Sequence, residues 1–280
     1  MELLKGAEIS AVIGEEVKRG LEALDGYIPT LAIVRVGEEP GDLAYERGAV
    51  KKLEGFGLKV RSCAFPQTVK KEAFNEALRQ INGDPSLDGI LLLRPLPAHL
   101  DEKEAAALID PGKDLDGISP VNIAKVFSGD PSGFAPCTAE AVMEILKAKE
   151  IPVQGAQVTV VGRSMVVGRP LAMLLLAADA TVTVCHTKTR NLKAQCRQAQ
   201  ILVAAAGRAK LIGRDWVGQG AVVIDVGINA DENGKLCGDV DAGQLQDQAC
   251  ALTPVPGGVG TVTTAVLAKH LVRAAVSRRI

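Results

Sequence analysis

The residues with the clearest chemical meaning lie in "VTVVGRSMVVGRPLA", Val158 to Ala172. A run of β-branched residues ends at Gly162, and a helical pattern begins near Val167–Gly168. A strand that feeds a helix leaves backbone N–H groups unbonded at the helix start. The helix dipole adds positive potential there, so such a turn suits a phosphate. The glycine spacing differs from GxGxxG, and the same turn also reads as a plain strand-to-helix connection kept tight by glycine. The next strand adds a second observation. Sites that hold the ribose 2′-hydroxyl of NAD place an acid about 20 residues further on. Here that strand ends "VTVCHTKTRN", with no acid and with His186, Lys188 and Arg190; Arg163 lies in the first turn. Cations in these places attract a 2′-phosphate, so the pattern favours NADP over NAD. Each of them taken alone reads equally well as a solvated loop residue.

A second constellation is "DLAYERGAVKKLEGFG", Asp42 to Gly57, which has helical spacing. Tyr45 sits on it with Arg47, Lys51 and Lys52 close by, yet one turn after the tyrosine stands Ala49. The cations either form a solvated helix face, the usual place for such residues, or serve a site around Tyr45.

These residues need elements to hold them. In the first half, "ISAVIGEEVKRGLEAL" repeats apolar residues at three and four, as a helix does, and "TLAIVRVG" reads as a buried strand. The Tyr45 helix follows, then a strand at "KVRSCAF", a helix at "KEAFNEALRQING" and a strand at "LDGILLLRPLP". Pro and Gly cluster in "DPSGFAPCTAEAV", and the pattern restarts with a helix at about Thr138. Strands follow at "QVTVVG", "ATVTVCH", "ILVAAAG" and "GAVVIDVG", with a helix at "GRPLAMLLLA". Alternation of this kind implies parallel sheets with crossover helices, and strands this apolar are covered on both faces. The expected fold class is α/β in two domains, the second a doubly wound, Rossmann-like sheet. A Gly/Pro-rich loop and a long helix close the chain, and that helix is expected to pack back on the first domain.

Composition narrows the function. The chain has 280 residues, 47% hydrophobic and 23% charged, an ordinary globular balance. A net charge of -1 and 3% aromatic residues argue against a nucleic-acid partner, which needs excess cations and stacking surfaces. The six cysteines show no CxxC pair, which suits free thiols in a reducing compartment and gives no metal site. "MELLKGAEIS" is too polar for a secretory signal, and the longest apolar runs fall short of a membrane span. A cytoplasmic protein without a membrane partner is expected.

The motifs "VVGRSMVVGRPLAMLLL", "ATVTVCHTKT", "GAVVIDVGIN" and "TPVPGGVGTVT", with "PLPAHLDE" and "KDLDGISPVN" before them, resemble the bifunctional methylenetetrahydrofolate dehydrogenase/methenyltetrahydrofolate cyclohydrolase family. They occur in family order over nearly the whole chain. The resemblance implies a folate-binding, catalytic domain in residues 1–137 with the C-terminal helix 262–280. It also implies an NADP-binding Rossmann-like domain in 138–261, a cleft between the two, and a homodimer acting on tetrahydrofolate derivatives in one-carbon metabolism. By position, Gly162, Arg163 and Ser164 would contact NADP, Thr187 and Lys188 would lie near its adenosine ribose phosphate, and Ile228 would line the nicotinamide region. Asp116 would hold the pterin ring, since a carboxylate can accept two N–H donors from an aminopyrimidine-like edge; by turn chemistry alone it reads as a residue leading into Gly117. Pro256, Gly257 and Gly258 would form a backbone wall of the site, and Tyr45 would line the folate.

The chain departs from the family in one coherent way. The family's Tyr-x-x-x-Lys becomes Tyr45 with Ala49, and its Gln-Leu-Pro-Leu-Pro becomes Leu93-Arg94-Pro95-Leu96-Pro97. Both members of a polar pair are apolar together; Thr261 and Val262 in "GVGTVT" are a milder change. Hydride transfer needs mainly orientation, whereas hydrolysis must move protons, so the loss should damage the cyclohydrolase more. Lys52, seven residues after Tyr45, returns to nearly the same helix face and is the expected substitute. Arg47 is expected to point elsewhere, and strand alternation would turn Arg94 away. Three alternatives stay open: a dehydrogenase alone, a non-catalytic NADP- or folate-binding protein, and a different NADP dehydrogenase with the same architecture.

Overall fold

A computed structural model describes residues 1–279. The chain opens with a two-residue strand β1 (Glu2–Leu3) and helix α1 (Gly6–Glu22). Next come β2 (Thr30–Val36), α2 (Pro40–Gly55), β3 (Lys59–Phe65), α3 (Lys71–Gly83) and β4 (Gly89–Leu92). Helices α4 (Glu102–Leu108), α5 (Pro120–Ser128) and α6 (Cys137–Ala148) follow. Then β5 (Gln157–Val161), α7 (Gly168–Ala177), β6 (Thr181–Cys185), α8 (Leu192–Arg197), β7 (Ile201–Ala204) and β8 (Val222–Asp225) alternate. The last elements are β9 (Asn229–Ala230), β10 (Leu236–Cys237), β11 (Ala251–Leu252) and α9 (Val259–Arg279). The chain forms two compact units, one joining Met1–Val12 to Thr138–Thr263, the other joining Ile13–Cys137 to the residues from Thr264 onward.

The second of these units holds a three-stranded parallel sheet in the order β3-β2-β4. Leu31, Ala32, Ile33 and Val34 of the central strand are all fully buried, because helices cover both faces and no polar alternation is needed. The edge strand β3 keeps Lys59 and Arg61 exposed, and charges on an edge discourage further pairing. Phe74, Leu78 and Ile81 recur on α3 at spacings of four and three, and all three are buried against Val34, Leu92 and Leu96. Each such side chain stabilises the unit by roughly 1.5–3 kcal/mol on burial. The β4 strand stops at Leu92, so the residues after it leave the period-two pattern.

The other unit is built on a six-stranded sheet in the order β1-β11-β8-β7-β5-β6, parallel throughout. From β5 the chain goes first to β6 on one side, then to β7 and β8 on the other. Strand order therefore reverses at β5, and the carboxyl ends of β5 and β7 frame the crevice where open α/β sheets bind ligands. The β7 run "ILVA" is buried on both faces and packs with Val161, Cys185, Val223 and Leu252. Glu2–Leu3 pairs with Ala251–Leu252 and extends this sheet at its far edge. Among the described residues α9 is the one helix long and apolar enough to cross a membrane, and 67% of that stretch is buried inside the protein, as in a core helix.

Candidate active site

In the six-stranded unit the crevice is lined by backbone. Gly162, just past the end of β5, has φ 137°, and a Cβ there would run into the carbonyl oxygen of Ala205. Gly168 opens α7, and its Cβ would strike the carbonyl oxygen of Gly162. Both positions demand glycine because two backbones approach closely. At the start of α7, Val167 has no side chain to cap the helix, and Ser164 Oγ accepts a hydrogen bond from the Val167 N–H at 3.1 Å. The turn after β6 lies alongside, since the Gly162 N–H donates to the Cys185 carbonyl at 2.9 Å. That second turn is closed by His186 N–H donating to Thr189 Oγ1 (2.9 Å) and Lys188 N–H donating to His186 Nδ1 (3.1 Å). Arg163, Ser164, Thr187, Lys188 and Arg190 are all exposed. None of the three cations has an ion pair among the described residues. A tight, cation-flanked turn with helix N–H groups fits a dinucleotide phosphate, and the neighbouring turn fits a further phosphate on the ribose.

A cavity of about 180 Å³ in the same unit is lined by Asp225, Gly227, Ile228, Leu236 and the loop Pro254–Thr261, which carries Pro256, Gly257 and Gly258. Ile228 is 71% exposed. Two buried acids hold this wall. Asp225 accepts hydrogen bonds from the N–H groups of Gly227, Asp239 and Val240, at 2.9, 3.0 and 3.0 Å. Asp239 accepts from the N–H groups of Ala206, Gly207 and Arg208 and from Asn229 Nδ2. Burial pushes the Asp225 carboxyl up to about 6 despite its three donors. The Gly257 carbonyl accepts from the Gly6 N–H at 2.8 Å, so the N-terminal residues anchor the loop.

In the three-stranded unit the side chains decide. Glu46, Ala49 and Leu53 form the buried face of α2, and Glu46 is held by Arg35 Nε at 2.7 Å. Tyr45 precedes Ala49 by one turn and is 38% exposed. Its phenol is pushed up by burial, with Cys137 and Asp116 adding to the effect, so Tyr45 and Asp116 share one neighbourhood. Ala49 and Leu93 are both buried, at 1% and 7%. Lys52 is engaged elsewhere, its ammonium lying over the Phe56 ring at 5.1 Å, while Arg47 and Lys51 are exposed.

The segment "KDLDG" divides its charges between two tasks. Lys113 is buried and donates to the carbonyls of Asn82 and Asp84, both at 2.7 Å. Asp114 accepts from the N–H groups of Ile118 and Ser119 and from Asn122 Nδ2, at 3.0, 2.8 and 2.9 Å. Those two residues build the turn. Asp116 is held by Cys137, whose N–H donates to Oδ1 at 2.9 Å and whose thiol also acts on the carboxylate. Burial raises its carboxyl above the ordinary range, against the Cys137 N–H and the nearby Arg94. Arg94 does not turn away as expected. Its Nη2 lies 3.6 Å from Asp116 Oδ2. Strand alternation cannot orient a residue two positions beyond the last residue of β4.

Residues 4–116 match the catalytic domain, and residues 136–279 the NAD(P)-binding domain, of tetrahydrofolate dehydrogenase/cyclohydrolase. The chain belongs to this family. It is 48% identical over 275 residues to the bifunctional protein FolD of Clostridioides difficile, covering 98% of this chain and 96% of that protein. The crystal structure of the bifunctional FolD enzyme from Campylobacter jejuni superposes with a TM-score of 0.96 at 39% identity, over 99% of both chains. The Trypanosoma brucei enzyme, complexed with NADP cofactor and inhibitor, superposes at 0.89 with 34% identity, over 98% of this chain and 96% of that one.

Sequence reasoning missed the paired acids Asp225 and Asp239 and the site-facing Arg94. For the acids a signal was present, since two aspartates beside glycines in apolar runs ("IDVG", "CGDV") rarely stay buried without backbone donors. Arg94 gave no such signal.

Proposed function

We propose that the protein oxidises 5,10-methylenetetrahydrofolate to 5,10-methenyltetrahydrofolate with NADP, and hydrolyses that product to 10-formyltetrahydrofolate only slowly. The observation that carries this reading is Asp116, a half-buried carboxylate with hydrogen-bonding capacity to spare in a chain whose family acts on folates. Asp116 holds the pterin, and Tyr45 borders the reacting end of the folate. Gly162, Arg163 and Ser164 take the dinucleotide, and Thr187 and Lys188 take the adenosine ribose phosphate. Ile228 and the backbone of Pro256, Gly257 and Gly258 border the nicotinamide. NADP, when bound, accepts the hydride; the chain's task in that step is orientation of donor carbon and acceptor ring.

Hydrolysis asks more of the chain, because protons must move as the ring opens. Tyr45, with its phenol pushed up, stays protonated at neutral pH and is a poor base. Ala49 and Leu93 offer nothing. Lys52 is the remaining candidate and must leave the Phe56 ring to act. The second reading, a dehydrogenase alone, rests on the same two apolar residues. A homodimer is proposed on the outer strand β6, beside which Val184 and Leu176 are 38% and 50% exposed, an edge that a second copy would cover. A place in one-carbon metabolism follows from the substrate, and a cytoplasmic location is proposed from the six cysteines, none of them in a disulfide.

The test is purified protein with methylenetetrahydrofolate and NADP, following NADPH and methenyltetrahydrofolate together against a blank for spontaneous hydrolysis. NADPH should form with methenyltetrahydrofolate accumulating. Lys52→Met should lower whatever hydrolysis exceeds the blank; unchanged hydrolysis removes Lys52 from the site. No NADPH would sink the dehydrogenase reading itself.

A further inference from the structure

Arg94 is 22% exposed, and its one polar partner among the described residues is Asp116. At 3.6 Å that contact is an ion pair too long for a hydrogen bond. A guanidinium carries five N–H donors in a rigid fork. All five lack a hydrogen-bonded acceptor among the described residues, in a place where water access is restricted. Half-buried donors of this kind ordinarily have acceptors. Beside them Asp116 is engaged by the N–H and thiol of Cys137, which together occupy two of the four lone-pair sites of a carboxylate. The charged groups that act on Asp116 within this unit are Arg94 and Asp114, and Asp114 is fully engaged in its own turn.

The two side chains thus stand next to each other without saturating each other. Read along the pair, they offer acceptor, acceptor, donor. The hydrogen-bonding edge of a 2-amino-4-oxopteridine presents donor (amino), donor (ring N–H) and acceptor (carbonyl oxygen) in the same order. We propose that Arg94 is a substrate-recognition residue that donates to the 4-oxo group of the folate while Asp116 takes the two N–H groups, so that the pair reads the whole edge. This rests on the folate reading above and extends it to a residue that the sequence pattern turned away. Arg94 also puts a cation near the site in a chain that has Ala49 and Leu93 where the family carries a lysine and a glutamine. An arginine does not release its proton at any working pH. It can bind and orient, and it is not itself a proton carrier for hydrolysis.

The test compares binding of folic acid with binding of aminopterin by calorimetry on the full chain. They differ in a 4-oxo against a 4-amino group and in ring N3, an N–H in the first and an acceptor in the second, so the change of their ratio on altering Arg94 is what isolates the guanidinium. The guanidinium meets an acceptor in the first and a donor in the second. The preference for folic acid over aminopterin should shrink roughly tenfold to a hundredfold in Arg94→Leu, the scale of one hydrogen bond to a charged group. Arg94→Lys, which keeps a donor, should retain part of it and serves if Arg94→Leu folds poorly. A merely structural ion pair would weaken both ligands equally and leave the ratio unchanged. If the ratio is unchanged while Asp116→Asn weakens folic acid, Arg94 is not a reader and the folate site stands. If folic acid binds wild type and Asp116→Asn alike, or binds neither, the folate reading falls and this inference falls with it.

Discussion

The turn between β5 and α7 and the neighbourhood of Tyr45 and Asp116 are built by different means. The first is made of backbone: Gly162 and Gly168 give the room, and helix N–H groups give the donors. The second is made of side chains on α2, after β4 and in the turn before α5. A backbone site tolerates much change around it but none at its glycines. A side-chain site can be rewritten one residue at a time with the fold intact, and Ala49, Leu93 and Arg94 stand where the resemblance implies a lysine, a glutamine and a leucine. The difference teaches why cofactor binding and hydride transfer are expected to persist in a chain where hydrolysis is expected to fade.

The strongest way to break this comparison is Gly162→Ala. The new Cβ meets the Ala205 carbonyl at a φ that L-residues avoid, so NADP affinity should fall by about a hundredfold or more, with a loss of roughly 1–3 kcal/mol in stability. NADP titration and chemical denaturation check it; wild-type affinity would mean that the turn is not the phosphate cradle. The comparison is sharpened by restoring the polar pair. Ala49→Lys with Leu93→Gln should raise hydrolysis of methenyltetrahydrofolate about a hundredfold, the lower range of general acid–base effects, and change NADP reduction far less. An equal change in both rates would show that the two activities do not depend on different means. The smallest expected effect is on cofactor choice. Lys188→Ala should lower the ratio of kcat/KM for NADP over NAD by about tenfold, as one charge-assisted contact does, and a constant ratio would move the 2′-phosphate to other cations.

Much of the architecture was legible because long elements repeat their signal. The patterns "KEAFNEALRQING" and "GRPLAMLLLA" coincide with α3 and α7 to the residue. Short elements were not legible: β1 and β11 have two residues each, too few for any period to show. The role of Gly6, which holds Gly257, follows from β1 and was hidden with it. In "KDLDG" the sequence offers two acids of equal standing. Only the fold shows that Asp114 is engaged in the turn and that Asp116 has capacity left.

By itself the sequence determined the α/β class, the parallel sheets and the glycine-rich turn after β5, since each is a matter of residue type at fixed spacing along one element. Only the tertiary structure decided which way Arg94 faces, where Lys52 rests and which aspartate remains open. These depend on where a strand stops and on which donors the turns bring within about 3 Å, and no local spacing encodes either.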